Sequence, residues 1–391
     1  MIDLAPPTLA RSQIARDRRR LARYPRLLPH KIERMSASPL AFLRGAAPLY
    51  YALLAENRGL LPALPGRGWI AGDLHLENFG AFRPGGFDGE HVAYGPNDFD
   101  DAVVGPWACD ALRLATSVLL ALRPMLPGRR RLRAVGALLE AHAEAVAGRP
   151  PPALPRLVQE LLEHVATRKR VLLLDHFTDV VHGGRRLRRG EHFHDLPAKL
   201  AAAARAAFAA YAAALPDEAR PRREALEVVD VAFRVAGTGS LGMLRVGVLV
   251  AGKGGRDGGW MFDMKEQGVP SPALLLGKPR QPPAERVLAA LRACLEHAPR
   301  LAGTTRLGGR SMLVRRLAPQ EDRVDVSEAG PDDAEAFVIY LGGAMGAAHR
   351  RGAVGPAVPW TSAQRERLVD AAITLAGVHE AAYLAYLKAL A

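Results

Sequence analysis

A chain of 391 residues with 49% hydrophobic content is long enough for one large two-lobed fold or two domains, and for a substantial core. Lys+Arg outnumber Asp+Glu by 53 to 40, a net charge of +13, and only seven of the cations are lysines, so arginine carries the excess. That favours acidic partners such as phosphates, but an Ala-, Arg-, Gly- and Pro-heavy composition also follows from a GC-rich genome, and charge alone decides little.

Cys109 and Cys294 lie in apolar, helix-like stretches without paired or metal-ligand spacing, which fits a reducing cytoplasm. The N-terminal stretch, with Pro6, Pro7 and the basic run Arg18 to Arg20, has no apolar targeting segment. No later apolar run approaches the roughly 18 residues of a membrane span. The expectation is an unexported, soluble globular protein.

In chain order, residues 1–62 read as a helical arm, with Ser38-Pro39 placed to start a helix. Residues 68–101 break into short apolar pieces punctuated by Gly, Pro and Asp, the pattern of loops and small hairpins. Helix returns over 107–225, including 108–122 and an alanine-rich stretch from 197 to 215, with an irregular basic section between them. Residues 227–316 are β-rich: 228–235 and 243–250 are strand-like, 253–259 is a glycine-rich turn leading into 260–265, and 311–317 follows a helix over 283–297. From Asp332 the chain is helical again.

Five motifs carry chemistry. In Gly72-Asp73-Leu74-His75-Leu76-Glu77-Asn78 an aspartate and an asparagine lie five positions apart on a tight loop. Phosphoryl transfer needs one carboxylate to orient the attacking hydroxyl and accept its proton, and a nearby amide oxygen to ligate magnesium; Asp73 and Asn78 suit those roles. The segment resembles the catalytic loop of protein kinases and, through His75, even more that of aminoglycoside and choline kinases. About twenty residues on comes Asn97-Asp98-Phe99-Asp100-Asp101, where adjacent carboxylates repel unless a cation sits among them. Asp98-Phe99 resembles the metal-binding aspartate and phenylalanine of kinases, which makes Asp98 the first metal ligand and Asp100 the second choice. The run from Gly105 to Ala115 resembles the kinase stretch in which a buried aspartate, here Asp110, holds the catalytic loop by accepting backbone N–H bonds.

Gly237-Thr238-Gly239-Ser240-Leu241-Gly242 is a GxGxxG pattern. A dinucleotide fingerprint needs a helix straight after it, whereas 243–250 is β-branched and strand-like. Strand, glycine turn, strand is the kinase arrangement, in which backbone N–H groups cover the ATP phosphates. Lys265, one of the seven lysines, follows on the next strand. By the same resemblance it contacts the α- and β-phosphates and is held by a glutamate on the next helix, Glu285 first and Glu296 second.

The order is reversed relative to ordinary kinases, where the glycine hairpin, lysine and helix come before the catalytic loop. A circular permutation keeps such a fold, and the helix over 334–350, ending Ala347-Ala348-His349, is similar to the one that precedes the loop in small-molecule kinases. The whole chain is similar to the uncharacterised bacterial family called domain of unknown function 2252. The likeness is carried by residues 38–45, 72–80, 97–101 with Asp110, 237–242 with 264–266, and 347–352. It implies kinase-like ancestry without fixing an activity.

The expectation is therefore an α+β, two-lobed, kinase-like fold: an N-terminal arm (1–62), a helical lobe with the catalytic and metal loops (63–225), a β-rich nucleotide lobe (226–328) and C-terminal helices completing the helical lobe (329–391). ATP lies between the lobes with Mg²⁺ on Asn78 and Asp98, Gly237 to Gly242 and Lys265 hold the phosphates, and His75, Asp110, Arg44 and Arg113 act in support. The acceptor is expected to be small rather than a protein, because His75 stands where protein kinases usually carry lysine. Three other readings stand beside this one: an ATP-binding scaffold without turnover, an enzyme that transfers AMP, and nucleic-acid binding through Arg185 to Arg189. That last run lacks interleaved aromatics. His192 and His194, near His176 and His182, lack a recognised metal spacing.

Overall fold

The computed structural model describes residues 5–84, 92–237, 241–327 and 329–391. The N-terminal arm is four helices, α1 (Pro6–Arg20), α2 (Leu28–Ser36), α3 (Pro39–Gly45) and α4 (Ala47–Glu56). Proline opens α1, and Arg18, Arg19 and Arg20 sit against the negative end of its dipole. Ser38 caps α3, its hydroxyl accepting the Ala41 N–H at 3.1 Å.

Two short ladders follow, β1 (Arg67–Ile70) with β4 (Val103–Pro106) and β2 (Phe79–Phe82) with β3 (Ala93–Pro96), all antiparallel. The helical body then adds α5 (Ala108–Ala121), α6 (Gly128–Val146) and α7 (Arg156–Ala166). The basic section expected to be irregular forms α8 (Arg170–Phe177), a hairpin of β5 (Thr178–Val181) and β6 (Gly184–Leu187), and β7 (Phe193–His194).

The main sheet has six antiparallel strands in the order β11-β12-β10-β9-β8-β7, with β8 (Val228–Arg234), β9 (Arg245–Val250), β10 (Trp260–Glu266), β11 (Gly303–Leu307) and β12 (Arg310–Arg316). It begins at β7, earlier than the sequence suggests. Helix α9 (Ala198–Ala213), expected in the helical lobe, packs on this sheet instead: Phe208 and Tyr211 meet Phe262 with ring centroids 5.1 and 6.1 Å apart. Its alanine-rich sequence hides the cause, which is a two-aromatic stripe seated on the valines of β9. Between β10 and β11 lie α10 (Ala273–Leu276) and α11 (Pro283–Cys294).

Two C-terminal helices, α12 (Pro331–Arg351) and α13 (Ser362–Leu390), return to the helical body. α12 crosses α6 with almost no side chain between them, because a Cβ on Gly342 or Gly346 would run into the carbonyl of Leu138 or His142. α13 starts on a capping box of Thr361 and Gln364. By length and composition it could cross a membrane, which the sequence reading did not anticipate; here Leu375, His379 and Tyr386 are buried, and the helix packs against α1 and α5. One large core joins α5, α6, α11, α12 and the short ladders, and a smaller one lies between the sheet and α9.

The close crossing and the open helix surface make opposite predictions. Gly346→Ala should lower stability by about 2 kcal/mol or more, since backbone must move. Gly377→Ala, at an exposed position of α13 with nothing within 4 Å of its new methyl, should raise it by about 0.5–1 kcal/mol. Chemical denaturation of the two variants checks the signs.

Candidate functional site

The loop after β1 is held from beneath. Asp110, on the first turn of α5 and 1% exposed, accepts the N–H groups of Ala71 at 2.7 Å and Gly72 at 2.9 Å. Gly72 has φ +79°, and a Cβ there would collide with the carbonyl of Asp101, so only glycine lets the loop turn while touching the acidic segment. Ser117 accepts the Leu76 N–H at 3.0 Å. The result is a loop whose backbone is tied to α5 at three points, with Leu74, His75 and Leu76 buried and Asp73 and Asn78 lining the cleft.

A buried chain of imidazoles extends this support. His349 Nε2 lies 3.2 Å from the Asp110 carboxylate and its Nδ1 lies 3.0 Å from His142 Nε2. The carboxylate can only accept, so His349 donates through Nε2, His142 donates through its own Nε2, and the bare His142 Nδ1 has no partner. Trp107 stacks on His349 and Trp360 on His142. Burial holds His142 well below the usual imidazole range.

Asp73 is gripped by the guanidinium of Arg113, which is fully buried on α5, with Nε donating to Asp73 Oδ1 at 2.6 Å and Nη2 to the Leu43 carbonyl at 3.0 Å. Burial raises the Asp73 carboxyl to about 7 even against the pull of Arg113. Asn78 donates its amide to the Asp73 carbonyl at 2.7 Å, which leaves its oxygen available as a ligand. The Asn78 carbonyl accepts the Asn97 N–H at 3.1 Å, and this bond brings the acidic segment beside the loop. His75 is buried and kept neutral by that burial and by Arg44, Arg113 and Arg323. Arg44 pairs with Glu77 at 2.8 Å, a carboxylate that Arg323 also reaches at 2.5 Å.

The acidic segment is fastened to the sheet. The Lys265 ammonium on β10 forms an ion pair with Asp100, and Gln267 donates to the other Asp100 oxygen at 2.9 Å. Asp101 accepts from the backbone and hydroxyl of Ser271 at 2.7 and 2.9 Å. Burial alone would raise the Asp100 carboxyl; Lys265 outweighs it and holds the group low. Asp98 is raised by burial and by the Asp100 charge, and among the described residues no cation pairs with it.

The expected partnership of Lys265 with a glutamate is not found. Glu285 and Glu296 are both exposed, and the lysine takes Asp100 instead. The neighbour of Glu285 matters more: Arg286, 1% exposed, donates to the carbonyls of Ala102, of Asp100 at 2.9 Å and of Gly268 at 3.3 Å. A readable signal existed, because Arg286 falls on the apolar stripe of α11 with Val287, Ala290 and Cys294. Also unforeseen is Asp263, fully buried, bonded by Arg245 at 2.8 Å and paired with Arg234 at 3.2 Å, which hold its carboxyl far below the ordinary range despite burial.

At the glycine turn, Gly237 and Gly242 have φ +78° and +96°; Thr238, Gly239 and Ser240 lie outside the described residues. The arm holds both ends of this turn: Arg34 donates to the Gly237 carbonyl at 2.6 Å, and the Arg20 carbonyl lies against Gly242. Asp73, Asn78, Asp98, Asp100, Lys265 and Gly237 all line one cleft of about 680 Å³ between the sheet and the helical body. Among the described residues no three His, Cys, Asp or Glu side chains gather to hold a metal by themselves.

Fold and cleft define a mixed α+β protein whose antiparallel sheet faces a helical body across a charged groove. Residues 23–389 match the family described as uncharacterized protein conserved in bacteria (DUF2252), and the chain belongs to that family. No curated protein and no solved structure matches it.

Buried neutral histidines make stability depend on pH. His379 is held at about 4 by burial and by nearby Arg113, so its folded value lies below its unfolded one. The contribution is complete above about 6.5 and is lost as pH falls, reaching about 3 kcal/mol near pH 4. His142 acts in the same direction. Melting curves from pH 7.5 to 4.5 should show the midpoint dropping below 6.5, and His379→Leu should flatten that drop.

Proposed function

We propose that the protein is an ATP- and magnesium-dependent phosphotransferase of kinase-like architecture, with its motifs in circularly permuted order, acting on a hydroxyl of a small-molecule acceptor. The observation that carries the reading is the Lys265–Asp100 ion pair: it joins the strand after the glycine hairpin to the acidic segment after the Asp73 loop, across one cleft. The glycine hairpin, the lysine strand and α11 follow one another as in kinases. A permuted order is supported by the contact between the end of α12 and the strand that leads into the Asp73 loop, where the Gly352 carbonyl accepts the Trp69 N–H at 2.8 Å.

The donor set fits magnesium. Asp98 is a partly buried carboxylate with no ion-pair partner among the described residues, Asn78 offers an amide oxygen, and a pair of protein ligands is enough when phosphates complete the shell. When bound, Mg²⁺ neutralises charge on the phosphates. The chain's own part is positional. Arg113 orients Asp73 toward the cleft, where its carboxylate takes the acceptor's proton. Lys265, steadied by Asp100, presents its ammonium to the phosphates, and Asp110 keeps the loop backbone fixed while the substrates exchange.

Mg·ATP at a hundredfold excess over Kd should stabilise the wild type by about 2.7 kcal/mol, about 3 °C for a chain of this size. Asp73→Ala should keep that shift while losing phosphate release at least a hundredfold, and Lys265→Ala should lose the shift. Equal turnover in Asp73→Ala and wild type would remove Asp73 from the chemistry. Binding without turnover in either would favour a nucleotide-binding scaffold.

A further inference from the structure

On the wall of the cleft away from Asp73, Arg316 and Arg170 have no carboxylate partner among the described residues. Arg316, at the end of β12, stacks its guanidinium 4.4 Å above the ring of Trp260. Its Nε is buried without a hydrogen-bond partner, and among the described residues it makes neither a hydrogen bond nor an ion pair. Arg170, the first residue of α8, reaches the same place, donating only to the Gly258 carbonyl at 3.2 Å. Arg83 lies close enough to both to repel them, and burial with these two neighbours lowers Arg316 to about 10. Two polar atoms beside them are also buried and unsatisfied, Trp260 Nε1 and Gln320 Oε1. All of these residues line the same cleft as Asp73 and Lys265.

Such an arrangement is unfavourable for the protein alone. A partly buried guanidinium without a counter-charge loses solvation and gains little beyond its contact with the Trp260 ring, and Arg170 beside Arg316 adds like-charge repulsion. A planar fork seated over an indole, with no hydrogen-bond partner among the described residues, is instead suited to a tetrahedral dianion. Along β10, Trp260 and Lys265 are five residues apart, roughly 16 Å at the rise of a strand, so this end and the Lys265 end are separate positions in one groove.

We propose that Arg170 and Arg316, with Trp260 and Gln320 beside them, form a second anion subsite of the cleft that takes a phosphate or pyrophosphate group. That group has two sources: the polyphosphate of a nucleotide entering with its phosphates toward this end, or a phosphorylated ligand bound beside the nucleotide. The first arrangement would suit nucleotidyl rather than phosphoryl transfer; the second makes the acceptor a phosphorylated molecule. The assignment to substrate rests on the phosphotransfer reading, whereas anion binding at these arginines does not.

Isothermal titration of the full chain with pyrophosphate, with Mg·ATP, and with pyrophosphate after Mg·ATP tests this on wild type, Arg170→Gln, Arg316→Gln and the exposed control Arg292→Gln. Pyrophosphate affinity should fall at least tenfold in the first two variants and stay unchanged in the control. If Mg·ATP weakens in parallel and competes with pyrophosphate, the nucleotide supplies the anion. If Mg·ATP is unaffected and pyrophosphate binds the loaded protein, a second ligand supplies it. Wild type that binds no pyrophosphate, or variants that bind it as wild type does, would overturn the subsite. Arginine-dependent pyrophosphate binding with no ATP binding would leave the subsite standing and remove the phosphotransferase reading. Should Arg316→Gln fail to fold, Arg170→Gln, at a half-buried position, carries the comparison.

Discussion

The ammonium of Lys265 rests on the carboxylate of Asp100, two residues 165 positions apart in the chain, and the cleft exists in its present form because of that meeting. Two adjacent carboxylates cannot both stay charged in a buried place without help. Lys265 satisfies one of them and leaves Asp98 as the open one. Gln267, Ser271 and Arg286 then fix the rest of the acidic segment to the sheet side, so the three aspartates of the segment have three different fates.

The opposite wall is built to stay still. Asp110 takes two backbone N–H groups and an imidazole, Arg113 takes Asp73, and the aromatic rings of Trp107 and Trp360 close the imidazole chain from outside. None of these groups is redundant. Removing the Asp110 carboxylate would strand two buried donors, each worth about 1–3 kcal/mol in lost desolvation. The wall is also where α12 and α13, the last helices of the chain, meet the first loop: His349 comes from one, and His379, close to Arg113, from the other.

Much of this was legible because its signals are local. Ser38-Pro39 capped a helix, the loop from Gly72 to Asn78 kept an aspartate and an asparagine at fixed spacing, and the stretch around Asp110 resembled the kinase segment whose buried aspartate accepts from the loop backbone. The missed features share another trait, that they depend on which distant face a residue meets. The alanines of α9 look alike on every side until Phe208 and Tyr211 find the sheet. Lys265 preferred an aspartate two residues beyond the expected metal ligand to a glutamate on the following helix, because α11 turns Arg286 rather than Glu285 inward. Asp263 shares one face of β10 with Met261 and Lys265, and no pattern in a single strand reveals that Arg245 from β9 and Arg234 from β8 beyond it enclose its carboxylate.

The pairing across the cleft is open to a direct measurement, a double-mutant cycle on unfolding free energy with Lys265→Met and Asp100→Asn, singly and together. The two single losses should exceed the loss in the double variant by about 1–3 kcal/mol, the coupling of a partly buried ion pair. Strict additivity, with each variant indifferent to the other, would mean that the lysine and the acidic segment do not meet in solution, and the shared cleft would have to be abandoned.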